Sequence, residues 1–123
     1  MKYDYEILID DQPILVADEK MIISFQDILS EDSVLDESGV LHLIPLRLGV
    51  LHLSANYGNL TAQEYQYMES LFSGKYTFVV DFRNPQTGNP EKRTCYRSGY
   101  PNPALLNRKT GEFRGYTLEL EEC

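Results

Sequence analysis

The residue types that most often carry chemistry are sparse in this chain, and their spacing argues against most uses of them. His42 and His52 stand ten residues apart in an apolar stretch. Along one unbroken strand that is about 33 Å, too far to share a ligand. A fold-back at Gly49 would let them approach, but no third ligand accompanies them. Ser73-Gly74-Lys75 lacks the preceding glycine of a phosphate loop. It also follows a helical pattern, where that motif precedes one. Cys95 shares a strand face with Arg93 and Arg97, cations that can lower a thiol pKa. Cys95 and Cys123 fit no metal spacing, and Cys123 is expected as an exposed free thiol. Asp10-Asp11 and Asp18-Glu19 fall at turn signals, where plain solvation is the default. Ser30 to Gly39 holds Glu31, Asp32, Asp36 and Glu37. It lacks the alternating acids and central glycine of a calcium loop and reads as a mobile acidic loop. The expectation is a protein with no catalytic residues, no metal and no cofactor, and not an enzyme.

Charge and tyrosine point instead to contact surfaces. The net charge is −8, which argues against general nucleic-acid binding. Asp4 to Glu37 holds eleven acids and one base, Lys20. Arg83 to Arg114 holds seven bases and two acids. Solvated surfaces explain this split, and so does head-to-tail contact between the acidic face of one copy and the basic face of the next. The candidate self-association residues are Arg83, Arg93, Arg97, Arg108, Arg114 and Tyr96, with Asp10, Asp11, Glu31 and Asp32. Reversing Arg93 and Arg97 to Glu is expected to weaken association and leave the monomer folded. Tyr3, Tyr5, Tyr57, Tyr67, Tyr96 and Tyr100 cannot all be buried, and Tyr with Arg is a common mix at protein contacts.

The elements that position these residues are legible from periodicity. Leu60 to Phe82 reads as one capped helix, about 61–73, running into a strand. Thr61 and Glu64 form a capping box, and Leu60 and Tyr65 a hydrophobic staple. Tyr65, Met68, Leu71 and Phe72 make an apolar stripe, and Gly74 ends the helix. Tyr76, Phe78, Val80 and Phe82 then alternate with polar neighbours. Upstream, Tyr3, Tyr5, Ile7 and Ile9 alternate, Asp10 to Pro13 turns, and Ile14 to Val16 pairs back. Met21 to Ile28 is poor in helix formers and reads as a strand. Val40 to Ala55 reads as two strands or one bent at Gly49, with Asn56 to Asn59 turning into the helix. Downstream come a hairpin loop at Arg83 to Pro90, a strand at Lys92 to Ser98, an irregular or edge stretch from Gly99 and a closing strand through Tyr116, Leu118 and Leu120. The fold class is mainly β with one helix (α+β): one domain, 1–123, an antiparallel β-sandwich or barrel of about seven to eight strands with the helix packed against it. No run of about 18 apolar residues occurs, so no membrane partner or span is expected. Met1 opens a patterned segment and not a signal peptide, so residence in a cytoplasm is expected.

The stretch LTAQEYQYMESLFSGKYTFVVDFRNPQTGNPEKRTCYRSGY resembles small tail-associated proteins of siphophages and prophages of Gram-positive bacteria. The matching features are Glu64 early in the helix, Asp81 ending a strand, the Pro85-Gln86-Thr87-Gly88 hairpin, Lys92 or Arg93, and Tyr96. The opening YEILIDDQPI is similar to the first hairpin of tail-tube and distal-tail proteins. The resemblance implies a β-sandwich or barrel that joins a ring in or next to the tail tube, with sheet edges pairing around the ring. Its partners would be copies of itself or other tail proteins. DNA would be a passive occupant of an acidic channel, with no sequence-specific binding. The protein would lie in the bacterial cytoplasm during assembly and in the virion if incorporated. The alternative is an acidic, immunity-type module that acts as a monomer on a basic partner.

Overall fold

Ten strands and one helix follow one another in the computed structural model, which describes residues 1–29, 34–35, 41–42, 45–109 and 111–123. In order they are β1 (Tyr3–Ile9), β2 (Gln12–Leu15), β3 (Lys20–Leu29), β4 (Val34–Leu35), β5 (Leu41–His42), β6 (Pro45–Leu60), α1 (Ala62–Ser70), β7 (Phe78–Arg83), β8 (Pro90–Arg97), β9 (Ala104–Asn107) and β10 (Glu112–Glu122). Eight strands form one antiparallel sheet in the order β2-β1-β7-β8-β10-β6-β3, with β9 also on β10. β4 and β5 pair separately. The sheet curls around its apolar face. Phe25 of β3 comes within 6.4 Å of Phe82 of β7, although three strands lie between them in the sheet order.

Alternation explains the core. Ile7 and Ile9, Leu51, Leu53, Ala55 and Tyr57, Phe78, Val80 and Phe82, and Tyr116, Leu118 and Leu120 all point inward and are buried. Each large apolar side chain so buried contributes roughly 1.5–3 kcal/mol. α1 packs on this layer through Met68, with Leu71 and Phe72 following in the turn beyond it. The capping box is present in both directions: Glu64 N–H donates to Thr61 Oγ1 at 3.2 Å, and Thr61 N–H to Glu64 Oε1 at 3.1 Å.

Four boundaries differ from the sequence reading. The helix stops at Ser70, because residues 71–74 tighten into turns that bury Leu71 and Phe72. The following strand begins at Phe78, and Tyr76 is 90% exposed. The first turn is only Asp10-Asp11, with φ of +47° and +68°. That is the left-handed pair of a two-residue hairpin, which Asp tolerates. The expected bend at Gly49 is present: it lies at φ +61° within the long β6, which follows the short β5. Asn56 to Asn59 is strand, not turn. Tyr57 pairs with Tyr116 and is buried. A Cβ at Gly58 would lie 2.9 Å from Glu19 Oε1, the end of a side chain that would have to shift. The expected acidic loop lies outside the described residues, apart from Val34–Leu35 in β4.

Candidate functional site

Two of the arginines expected at an interface are used inside the chain. β8 turns Arg93, Cys95 and Arg97 inward. Arg93 lies 2.8 Å from Glu122 and 3.2 Å from Glu91, donates to Gly49 O at 2.6 Å, and stacks over Phe25 at 5.1 Å. Arg97 holds Glu69 of α1 through two parallel bonds of 2.8 and 2.9 Å. It also donates to the Tyr116 hydroxyl at 3.0 Å and lies over Phe72 at 4.5 Å. A planar guanidinium can bond a carboxylate edgewise and stack on a ring at once, which lysine cannot do. The two arginines therefore close the two ends of the core. The expectation that reversing them spares the monomer is corrected: both changes would strike the fold.

The remaining candidates are scattered. Tyr96 faces outward and donates to Glu121 Oε2 at 3.0 Å. That bond raises its hydroxyl pKa above the usual tyrosine value. Asp10 fastens its turn: Oδ2 meets Lys75 Nζ at 2.8 Å, and Oδ1 accepts Val79 N–H at 2.8 Å. Asp11 is exposed beside it. Arg83 is exposed near the β7–β8 hairpin, donates to Gly88 O at 2.9 Å and lies 3.9 Å from Glu6. Arg108 and Arg114 are exposed near the start of β10, whose other end pairs with β8. Glu31 and Asp32 lie outside the described residues. The exposed bases thus sit at opposite ends of the sheet and form no single patch.

The chemistry-bearing residues behave as structure. His52 lies on the outer face, 3.7 Å from Glu121, and His42 lies in the separate β4–β5 pair. No cluster of three or more His, Cys, Asp or Glu able to hold a metal occurs among the described residues. No helix among them is long and apolar enough to cross a membrane. Burial pushes the Cys95 thiol up to about 12, with Glu122 adding to the rise and Arg93 opposing it. The lowering that arginine neighbours can cause is outweighed by this burial. Cys123 is exposed. At pH 8 a thiol reagent is expected to titrate one cysteine in the native protein and two after unfolding; rapid labelling of two native thiols would contradict this placement. A shallow groove of about 970 Å³ lies between α1 and the end of β8, with Tyr76 and Tyr100 on its rim. Its charged residues are already paired, Arg97 with Glu69 and Lys75 with Asp10.

Two carboxylates tie stability to pH. The Lys75 bond, then Val79 N–H, hold Asp10 below its ordinary 3.8. Burial disfavours ionised Glu122, but Leu51 N–H and Arg93 outweigh it and hold its pKa below 4.5. Groups with lowered folded pKa stabilise fully above their unfolded values and lose that contribution as pH falls through the folded ones. The urea midpoint is expected to be level from about pH 7 to 5 and to fall below about pH 4. An unchanged midpoint at pH 3 would count against both contacts.

The two edges of the sheet differ in a way the sequence did not show. On β2, the Leu15 carbonyl accepts the Tyr57 hydroxyl, Leu15 N–H points to Met68 Sδ at 3.4 Å, and the Pro13 carbonyl accepts the Tyr67 hydroxyl. Side chains thus cap the outward groups of that four-residue strand. β3 has no such cover among the described residues. It pairs only with β6, in regular register from Lys20 to Gln26, until a bulge at Asp27. Ile22 and Leu29 on it and Leu48 beside it are 41%, 42% and 70% exposed. The signal was present in the sequence as an apolar run with no charge between Lys20 and Asp27, but nothing there marked it as an edge. Compared with family descriptions, with curated proteins and with solved structures, the chain matches none.

Proposed function

We propose that this chain is a non-catalytic structural subunit of phage or prophage tails that self-assembles in or next to the tail tube. The observation that carries the self-assembly reading is the β3 edge, which has no cover among the described residues. A regular, charge-free strand edge with exposed apolar neighbours is a template for another strand, and monomeric proteins usually blunt such edges. The resemblance of Leu60 to Tyr100 to tail-associated proteins supplies the phage context. With β2 capped, edge pairing can use β3 alone, so a ring needs a second contact. Either Arg83 at one end of the sheet or Arg108 with Arg114 at the other, against exposed acids of the stretch Asp4 to Glu37 of another copy, fits that role. The protein would lie in the bacterial cytoplasm before assembly and in the tail afterwards.

Light scattering across concentration and salt tests the reading. A mass that climbs above 14.2 kDa with concentration and falls back with salt is the expected result. A monomer under all conditions would favour the alternative, an acidic module acting on a basic partner.

A further inference from the structure

The outward groups of β3 can be assigned residue by residue from its neighbour β6. Asn56 O accepts Glu19 N–H, His52 O accepts the Ser24 hydroxyl, and Gly58 N–H donates to Asp18, so even-numbered β6 residues turn their backbone groups towards β3. Leu51 N–H donates to Glu122 of β10, so odd-numbered ones turn away. The register pairs Lys20 with Asn56, Ile22 with Ser54, Ser24 with His52 and Gln26 with Val50. The even residues of β3 therefore bond to β6. Met21, Ile23 and Phe25 carry outward N–H and C=O groups. Their side chains lie half-buried on the core face.

We propose that β3 pairs antiparallel with β3 of a second copy, about a two-fold axis at Ile23. The inference rests on the self-assembly reading and names its partner and register. An antiparallel two-fold pair keeps both core faces on one side, so each residue must face one of the same parity. Centring on Ile23 is the register that joins all three outward residues: Met21 to Phe25 of the second copy, Ile23 to its Ile23, and Phe25 to its Met21. That makes about six main-chain hydrogen bonds. It also spans the whole regular stretch, with Lys20 opposite Gln26 of the second copy and beside its Asp27. The charges at the two ends of β3 are opposite, so antiparallel pairing places each Lys20 at the end that bears the other copy's Asp27. No like charges oppose one another between Lys20 and Gln26. The half-buried Met21, Ile23 and Phe25 gain apolar neighbours across the junction. Met68, Tyr57 and Tyr67 already occupy the outward groups of β2, so β2 cannot serve as the acceptor edge.

The register makes a sharp test. On the outer face Ile22 stands opposite Ser24 of the second copy, twice, and neither side chain belongs to the core. Ile22→Lys with Ser24→Lys puts like charges opposite each other. Ile22→Lys with Ser24→Glu puts Lys opposite Glu. Sedimentation equilibrium at low salt is expected to show the first pair weakening dimerisation about tenfold or more. The second pair is expected to restore it. Circular dichroism and the urea midpoint check that both variants fold as the parent does. If the parent associates and both variants associate equally well, the β3 edge is not the contact, although self-assembly stands. If Lys–Glu fails to recover what Lys–Lys loses, the register is overturned. A parent that stays monomeric overturns the pairing itself.

Discussion

Arg97→Glu is expected to abolish the native fold at 37 °C or to lower its stability by about 3–5 kcal/mol. The Arg97 side chain is only 13% exposed. Its guanidinium accounts for both Glu69 oxygens and the Tyr116 hydroxyl. Reversal leaves two carboxylates facing each other beside Phe72, with nothing to neutralise either. Arg97→Lys keeps the charge but loses the fork and the stacking, and a loss of about 1–2 kcal/mol is expected. Arg97→Met with Glu69→Leu removes both charges together. It is expected to recover most of what Arg97→Glu loses, because an apolar replacement avoids the desolvation of an unpaired ion. Urea unfolding of the four proteins checks the order. A folded Arg97→Glu protein within about 1 kcal/mol of the parent would show that the buried pair is not a closure of the core.

Tyr57→Ala is expected to cost about 3–5 kcal/mol. Tyr57 is 1% exposed and packs edge-on against Tyr116 at 5.6 Å. Its hydroxyl caps the Leu15 carbonyl on the β2 edge. Tyr57→Phe keeps the ring and removes the cap, so it isolates the second role. An expected loss of about 1–2 kcal/mol follows from the unsatisfied carbonyl. That variant should also open one acceptor on β2, the Leu15 carbonyl, with Met68 and Tyr67 still covering the other outward groups. Larger assemblies than the parent forms, at equal concentration, are then expected by light scattering. A Tyr57→Phe protein with parental stability and parental mass would mean that β2 does not depend on this hydrogen bond.

The periodic elements were legible because local chemistry and the fold agree there. Thr61 and Glu64 specify the helix start without reference to the rest of the chain, whereas Gly74 ends the turns that follow the helix and not the helix itself. The alternation of Phe78, Val80 and Phe82, and of Tyr116, Leu118 and Leu120, states which face is buried. Asn56 to Asn59 misled because Asn and Gly favour turns locally, while pairing with β10 along the stretch, and with β3 at Asn56, overrides that preference. Arg93 and Arg97 misled because charged residues in a strand read as surface. Their burial depends on Glu69 and Glu122, which lie 28 and 29 positions away. The contrast between the two edges was out of reach for a related reason. Strand order is set by long-range pairing, and the caps on β2 come from β6 and α1. The tyrosines read as contact residues divide likewise: Tyr57 and Tyr67 serve the inside, while Tyr5 and Tyr100 stay 73% and 81% exposed.

The most direct test of the β3 edge is amide hydrogen exchange at Met21, Ile23 and Phe25, followed from dilute to concentrated protein. In a dilute monomer these outward N–H groups face solvent and should exchange fast, while Ile22 and Ser24, bonded to β6, stay protected. On concentration, the three odd-numbered amides are expected to become protected together, with no change at their even-numbered neighbours. Exchange that does not depend on concentration at Met21, Ile23 and Phe25, in protein shown to be associated, would contradict assembly through this edge.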